Sequence, residues 1–257
     1  KARGLKPLAF FPIPRKSEMA LVDHAPFLGP DLITFTSDSR IDFHKGQRSE
    51  GPFALTPPQS EWLRGAGILS PDRLVFPRQV HGDRIWRAGL EDGRERGVLE
   101  ADAVVTDIAG LPIAVRTADC VPVLLFDPSR RVVAAVHAGW KSTRLQIVRK
   151  TVADMGREFR VLPADLRAVI GPCIRRESYS VGPEFRAYFP EDVSKTPAGL
   201  FFDIASANRR QLLAEGLRPE RIMDLGQDTF SDRNFHSFRR DGERSGRMIS
   251  VIMMRGV

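Results

Sequence analysis

Nearly continuous apolar runs occupy the middle of the chain, at 121–126 and 131–137, and a shorter one precedes them at 112–116. The two longer runs are rich in β-branched residues. This pattern is typical of strands that are buried on both faces of a sheet. We therefore expect 112–116, 121–126 and 131–136 to be central strands.

Helical periodicity begins after these strands. Apolar residues recur near the helical period over 144–159, which predicts a helix packed on the sheet. Ser142 or Thr143 is placed to cap this helix by accepting a hydrogen bond from a free backbone N–H. A second helix is predicted over 204–215, with Asp203 as its N-cap.

The remaining pattern completes a mixed fold. Residues 1–30 and 45–60 are rich in proline or other turn-forming residues and are expected to be irregular. Strands and helices within one span indicate a single α/β or α+β domain. Further strands are predicted at 74–81, 166–170, 221–225, 235–238 and 248–254.

Composition excludes several protein classes. The chain has 257 residues, 42% hydrophobic and 28% charged, which is ordinary for a globular protein with a sizeable core. No apolar run approaches about 18 residues, so we expect no membrane-spanning helix. The basic start is broken by prolines and is unlike a secretory signal. With only two cysteines, we expect reduced thiols in a cytoplasmic protein.

The net charge of +7 favours an anionic partner such as phosphate or nucleic acid. The basic residues are scattered along the chain, however, and form no basic helix. A solvated basic surface is therefore the preferred interpretation, with no nucleic acid and no membrane as partner.

One cysteine and two histidines stand out as candidate metal ligands. His81 and His137 end predicted strands, and Cys120 lies in the short link between two others. Strand ends meet at one edge of a sheet, where sites are commonly built. One thiolate and two imidazoles suit zinc with a fourth position open. The spacing alone is weak, so a buried cysteine and two hydrogen-bonded histidines remain the alternative.

Three other polar residues are candidates for either a chemical or a structural role. Cys173 follows a proline, as in cytidine-type deaminases, but the second cysteine of that motif is absent. A buried structural role is preferred for it. Asp102 and Asp119 are candidates for acid–base groups or for partners of the metal ligands, and each is equally compatible with a turn.

Several short motifs recur in a fixed order and resemble the signature blocks of the laccase-domain family, also described as multicopper polyphenol oxidase-like or purine nucleoside phosphorylase-like proteins. The resemblance covers roughly 73–255. The motifs are RQVHG at 78–82, ADA at 101–103, TADCVPV at 117–123 and AVHAGWK at 135–141, extended by blocks at 170–174, 179–182, 238–241 and 246–247.

The resemblance implies a layered α/β/β/α sandwich with mixed sheets, forming one catalytic domain over 1–257. It also implies that His81, Cys120 and His137 are the catalytic zinc ligands. The implied activities are phosphorolysis of purine nucleosides and deamination of adenosine, in a monomer or small homo-oligomer. Phosphate would require basic groups, and Arg239 and Arg240 are the candidates because guanidinium groups match phosphate oxygens. An exposed pair on a strand edge is the alternative.

Other activities stay open. Copper is the alternative metal, but five histidines are too few for a multicopper oxidase. A hydrolase of a larger nucleotide-linked precursor and a catalytically impaired interaction protein are the remaining alternatives. Departures from the family pattern at Asp42, Gln59, Ser60 and Asp228 bear on the substrate-contacting residues.

Overall fold

The apolar runs of the sequence form neighbouring strands in the computed structural model, which describes residues 21–44 and 52–256. The strands are β1 (Leu21–Asp23), β2 (Leu32–Ser37), β3 (Ile85–Arg87), β4 (Ala103–Thr106), β5 (Ile113–Thr117), β6 (Val121–Asp127), β7 (Val132–Ala138), β8 (Arg167–Ile170), β9 (Ser180–Val181), β10 (Val193–Thr196), β11 (Gly199–Phe202), β12 (Ile222–Asp224) and β13 (Met248–Met254). The helices are α1 (Ala25–Leu28), α2 (Pro57–Gly65), α3 (Trp140–Arg144), α4 (Ile147–Phe159), α5 (Phe185–Tyr188), α6 (Ile204–Ala214) and α7 (Phe238–Asp241).

The strands form a mixed six-stranded sheet, a four-stranded sheet and a small three-stranded sheet in the described part of the chain. The six-stranded sheet has the order β12-β8-β6-β7-β4-β3, and the four-stranded sheet has the order β1-β2-β13-β5. Strands β6 and β7 pair antiparallel along their whole length, so that Pro122 lies opposite His137. The chain crosses from one large sheet to the other between β5 and β6, at 118–120.

Side-chain packing arranges these elements in α/β/β/α layers, which confirms the expected fold class. On one face of the six-stranded sheet, residues such as Val123 pack against Val148 and Met155 of α4. On its other face, Leu124 and its neighbours pack against the four-stranded sheet, including Ile252. The outer face of the four-stranded sheet packs against α2 and a group of phenylalanines. The alternation of side chains along β6 supplies both cores.

The predicted helix over 144–159 is divided in two. Gln146 adopts a left-handed conformation, with φ 62°, which ends α3 before α4 begins. The predicted caps Ser142 and Thr143 lie inside α3, and Gly139 is the N-cap. Helix α6 matches its prediction, because the Asp203 side chain accepts a hydrogen bond from the Ser206 N–H.

Three strand predictions need correction. The segment 74–81 forms only isolated bridges, Val75 with Ile113 and Arg78 with Glu100, and is not a regular strand. Strand β5 is buried but lies at the edge of its sheet rather than at its centre. The segment 235–238 is not a strand, because α7 begins at Phe238.

The segments predicted to be irregular are partly ordered. Strand β1 and helix α1 lie within 21–28, and α2 begins at Pro57. The parts of these predictions at 1–20 and 45–51 lie outside the described residues. Among the described helices, none has the length and apolar character that crossing a membrane requires.

Candidate functional site

The side chains of His81, Cys120 and His137 converge at one edge of the six-stranded sheet. One potential ligand atom from each lies within 4.8 Å of the others. The Cys120 Sγ and the His81 Nε2 are 3.8 Å apart although the residues are separated by 39 positions in the chain. The two imidazole rings meet edge to face, with centroids 4.8 Å apart. This cluster could hold a metal ion.

Asp102 organises the turn that carries His81. Its fully buried carboxylate accepts backbone hydrogen bonds from Val80 at 3.2 Å, His81 at 3.0 Å and Gly82 at 2.7 Å. His81 itself adopts a left-handed conformation, with φ 59°. Non-glycine residues seldom adopt this conformation, and the three hydrogen bonds hold it in place.

The same carboxylate also fixes His137. The Asp102 Oδ1 lies 2.7 Å from the His137 Nδ1, which leaves the Nε2 of that ring available to the cluster. Burial alone would raise the pKa of Asp102. The hydrogen bonds from His137, Gly82 and Val80 outweigh that effect and hold the pKa below its ordinary value. Asp102 is therefore hydrogen-bonded to both histidines, as expected of a partner of the candidate ligands, which is one of the interpretations that the sequence left open.

The electrostatics of the cluster favour a thiolate. Burial opposes ionisation of Cys120, but the neighbouring His137 and His81 lower its pKa to about 6. Burial likewise opposes the charged form of His137, and the Cys120 thiolate together with Asp102 raises its pKa to about 9. A thiolate is the form of cysteine that binds metals.

Cys120 is positioned by the backbone of its neighbour Asp119. Asp119 adopts a left-handed conformation, with φ 86°. Its carboxylate accepts hydrogen bonds from the Thr229 hydroxyl at 2.7 Å and from the Arg239 backbone N–H at 2.6 Å. These contacts join the link between the two sheets to the beginning of α7, so Asp119 is a structural anchor of the site.

Gly139 leaves the space that the cluster needs. A Cβ atom at this position would lie 2.7 Å from the His81 Cδ2 and 3.0 Å from the Cys120 Sγ. Both distances are too short for carbon or sulfur contacts. A side chain here would displace the candidate ligands, which explains why glycine follows the His137 strand.

A cavity of about 630 Å³ opens onto the cluster. Its walls combine aromatic faces with cationic side chains, and Phe238 is 45% exposed at the site. The aromatic and cationic lining residues are Trp140, Tyr179, Phe238, Arg78, Arg116, Lys141, Arg239 and Arg247. Apart from Arg239, the sequence alone predicts no role for these residues. Arg116 was detectable as a charged residue at the end of an otherwise apolar strand.

The structure separates the two candidate phosphate-binding arginines. Arg239 lines the cavity, with its guanidinium over the Tyr179 ring and one nitrogen 3.0 Å from the Ser180 carbonyl oxygen. Arg240 does not line it. The Arg240 guanidinium donates to the carbonyl groups of Thr229 and Phe235 and is therefore committed to the loop before α7.

The four positions that depart from the family pattern lie outside the cavity lining. Asp42 accepts hydrogen bonds from the backbone N–H groups of His44 and Arg247, both of which line the cavity. The Gln59 side chain caps α2 by accepting from the Thr56 N–H. Asp228 accepts from the Ser178 and Ser231 hydroxyls. Of these residues, Asp42 is the one shown to bond directly to the backbone of cavity-lining residues.

Residues 59–255 match the protein family described as multi-copper polyphenol oxidoreductase laccase. The chain belongs to this family.

Cys173, the other cysteine, lies outside the cluster of His81, Cys120 and His137. It is fully buried, and burial raises its pKa to about 12.

Several relatives in this laccase-like family carry names from purine metabolism. A purine nucleoside phosphorylase of Clostridium acetobutylicum is 34% identical over 182 residues, covering 69% of this chain and 75% of the relative. An adenosine deaminase from an unknown prokaryotic organism is 34% identical over 197 residues, covering 70% and 75%. The crystal structure of YlmD from Geobacillus stearothermophilus superposes with a TM-score of 0.76 at 27% identity, covering 90% of this chain and 94% of that one.

Proposed function

We propose that this chain is a zinc-dependent enzyme that acts on purine nucleosides, with His81, Cys120 and His137 as the zinc ligands. The convergence of these three side chains at one end of a cavity is the observation that carries the proposal. A tetrahedral zinc ion holds its ligand atoms roughly 3.5 Å apart, so the observed separations need only small adjustments. Three protein ligands leave the open position that catalytic zinc sites have.

The donor set fits zinc better than the redox chemistry of copper. A lone blue-copper site adds a weak axial methionine to His₂Cys, and no methionine is among the described residues lining the cavity. A multicopper site needs many more imidazoles than the five histidines of this chain. Zinc-loaded protein should therefore be active, and oxidation of a phenol by copper-loaded protein alone would favour the alternative.

The cavity offers recognition groups for a purine nucleoside. The aromatic faces of Trp140, Tyr179 and Phe238 are suited to stack on a flat base. Arg239, beside Tyr179, places a positive charge near such a base or its phosphate co-substrate. A bound zinc ion supplies a Lewis acid and makes hydroxide available near neutral pH. Asp102 keeps both histidines oriented through its hydrogen bonds.

Phosphorolysis is the preferred reaction, because several relatives carry the name purine nucleoside phosphorylase. In that reaction a phosphate oxygen bonds to the ribose C1′ while the bond from C1′ to N9 breaks. The electron pair remains on the purine, which takes up a proton and leaves as the free base. Deamination of adenosine is the second candidate, favoured by the relative named adenosine deaminase. There a water oxygen adds at C6 and ammonia leaves.

The two reactions are distinguished by their products. Zinc-loaded protein is incubated with adenosine, inosine or guanosine, with and without phosphate, and both free base and ammonia are measured. Base released only with phosphate supports phosphorolysis, and ammonia released without phosphate supports deamination. Neither product from any nucleoside would overturn the proposal and leave the larger-substrate hydrolase or the interaction protein.

The two cysteines provide a matched pair of variants. Cys120→Ala should lose most bound zinc and all turnover, because it removes one of three proposed ligands. Cys173→Ala changes the other cysteine, which lies outside the cavity lining. This variant should keep both its bound zinc and its turnover. Zinc content is measured by elemental analysis of the purified proteins. Full retention of zinc by Cys120→Ala would contradict the ligand assignment.

A further inference from the structure

Arg116 and Arg247 meet in the wall of the cavity, near Asp42 but without a salt bridge to a carboxylate of the described residues. Both line the cavity, and they are close enough for their charges to repel. Within residues 21–44 and 52–256, neither guanidinium forms an ion pair with a carboxylate. Two like charges held together in a protein wall are unfavourable unless an anion compensates them.

Arg116 is held rigidly by neutral groups. Its guanidinium carbon lies 5.0 Å from the Phe53 ring centroid and 4.9 Å from that of Phe76. One terminal nitrogen donates to the Phe43 carbonyl group at 3.2 Å. The buried Nε has no hydrogen-bond partner. An unsatisfied buried donor is unfavourable unless a water or a ligand completes it.

Arg247 is fixed in a similar way. One of its terminal nitrogens donates to the carbonyl groups of Ser245 and Gly246, at 2.9 and 2.8 Å. The nearby acid, Asp42, has its Oδ1 engaged by the backbone N–H groups of His44 and Arg247. The carboxylate thus positions the backbone while both guanidinium groups keep donors available.

Other arginines of the chain show what a structural role looks like. Arg175 forms a two-point pair with Asp224, at 2.9 and 2.8 Å. Arg240 combines backbone carbonyl groups with Asp241. Burial and the charge of Arg247 outweigh the opposing charge of Asp42 and lower the pKa of Arg116 to about 10, whereas the hydrogen bonds to Asp224 outweigh burial and raise the pKa of Arg175. Arg116 therefore lacks the directly bonded carboxylate that its structural counterparts have, and Asp42 acts on it only through its charge.

We propose that Arg116 and Arg247 form an oxyanion subsite that receives a phosphoryl group. Guanidinium groups present paired N–H donors that match phosphate oxygens, and both are held in place before the ligand arrives. The phosphoryl group is either inorganic phosphate, as the attacking co-substrate, or a phosphate ester carried by the nucleoside. The subsite is distinct from Arg239, which lies against Tyr179 and Ser180.

The subsite can be tested by binding without turnover. Inorganic phosphate is titrated calorimetrically into the full chain, both zinc-loaded and after treatment with a chelator. Arg116→Met keeps the length and apolar contacts of the side chain, and we expect it to weaken phosphate binding roughly tenfold or more. Arg130→Met is the matched control. It removes an exposed charge at the turn between β6 and β7, at the opposite end of these strands from Cys120, and should change binding less than about twofold.

A second arm identifies the source of the phosphoryl group. Tighter binding of adenosine 5′-phosphate than of adenosine, with this preference lost in Arg116→Met, assigns the subsite to an ester on the substrate. Equal binding of the two, together with phosphate binding that depends on Arg116, assigns it to the free co-substrate. If Arg116→Met does not fold, as judged by thermal unfolding, Arg247→Met decides the question in the same titrations.

The inference rests on the proposed function only for the nucleoside part of the ligand. Phosphate binding that depends on Arg116, in a protein that turns over no nucleoside, would support the subsite and refute the proposed function. Unchanged phosphate and adenosine 5′-phosphate binding in the folded variants would overturn the subsite. Absence of any binding to the wild type would do the same.

Discussion

The Nδ1 of His137 lies 2.7 Å from the Oδ1 of Asp102, and the same carboxylate accepts the backbone N–H of His81 at 3.0 Å. One buried carboxylate therefore orients two of the three candidate ligands, which come from separate parts of the chain. Groups that orient metal-bound histidines strongly affect metal affinity.

Replacing the Asp102 carboxylate should weaken metal binding even though all three candidate ligand residues are retained. We expect Asp102→Asn to reduce zinc affinity roughly 10- to 100-fold, measured by competition with a chromophoric chelator. Asp127→Asn is the control, because Asp127 is equally buried but accepts backbone hydrogen bonds from Ser129 and Arg130 at a distant turn. Equal zinc affinity of Asp102→Asn and the wild type would contradict the orienting role.

A side chain at Gly139 should distort the cluster. The added carbon of Gly139→Ala would overlap His81 and Cys120, and relieving an overlap of this kind costs about 1–3 kcal/mol. If the cost falls on the bound state, zinc binding weakens roughly 10- to 100-fold. Gly156→Ala, within α4, has its nearest contact at 3.4 Å and should leave zinc binding unchanged. Isothermal titration of both variants checks this, and normal binding by Gly139→Ala would show that the cluster tolerates the atom.

The adjacent arginines should respond differently to the same substitution. Arg239→Met removes a charge from the cavity and is expected to raise KM for the nucleoside or phosphate with little change in Tm. Arg240→Met removes hydrogen bonds to four backbone carbonyl groups and should lower the free energy of unfolding by about 1–3 kcal/mol. Steady-state kinetics and urea unfolding of both variants separate the two effects. If Arg240→Met raised KM while leaving the free energy of unfolding unchanged, Arg240 would be the substrate-binding residue and its structural role would be refuted.

His24 should make stability depend on pH. Burial lowers its pKa to about 4, from 6.5 for an ordinary histidine, and its Nε2 lies 2.9 Å from the Thr36 hydroxyl. The folded protein therefore prefers neutral His24, so its contribution is complete above pH 6.5 and is lost as the pH falls toward 4. This shift corresponds to about 3 kcal/mol. His24→Gln should flatten the pH dependence of unfolding in this range relative to the wild type, and parallel profiles would show that His24 is not responsible.

The local sequence pattern correctly predicted those strands and helices that are determined by residues within the element itself. Continuous apolar character identified β6 and β7, and an aspartate at the right position identified the start of α6. The strand predicted at 235–238 was wrong because the contacts that determine the structure there come partly from a distant part of the chain. Helix α7 begins where the Ser237 side chain accepts the Arg240 N–H and where Asp119, over a hundred positions earlier, accepts the Arg239 N–H.

The candidate site shows the same division. Histidines at strand ends and a cysteine in a short link were visible in the sequence, and the structure brings them together. The partnership of Asp102 with both histidines depends on the register of β4 and β7 and on a left-handed turn at His81. The pairing of Arg116 with Arg247 joins β5 to the segment before β13 across the fold. Such contacts arise from tertiary packing and leave no periodic signal.

The three candidate ligands are anchored to different parts of the architecture. Cys120 lies where the chain passes from one large sheet to the other, and His137 lies within the six-stranded sheet. His81 belongs to the irregular segment outside both sheets, 39 positions before Cys120. A metal ion bound to all three would thus act as a cross-link that closes long loops in the chain, and its binding energy would also be folding energy. The thermal stability of this protein would then follow the concentration of free metal, and a chelator would act as a mild denaturant.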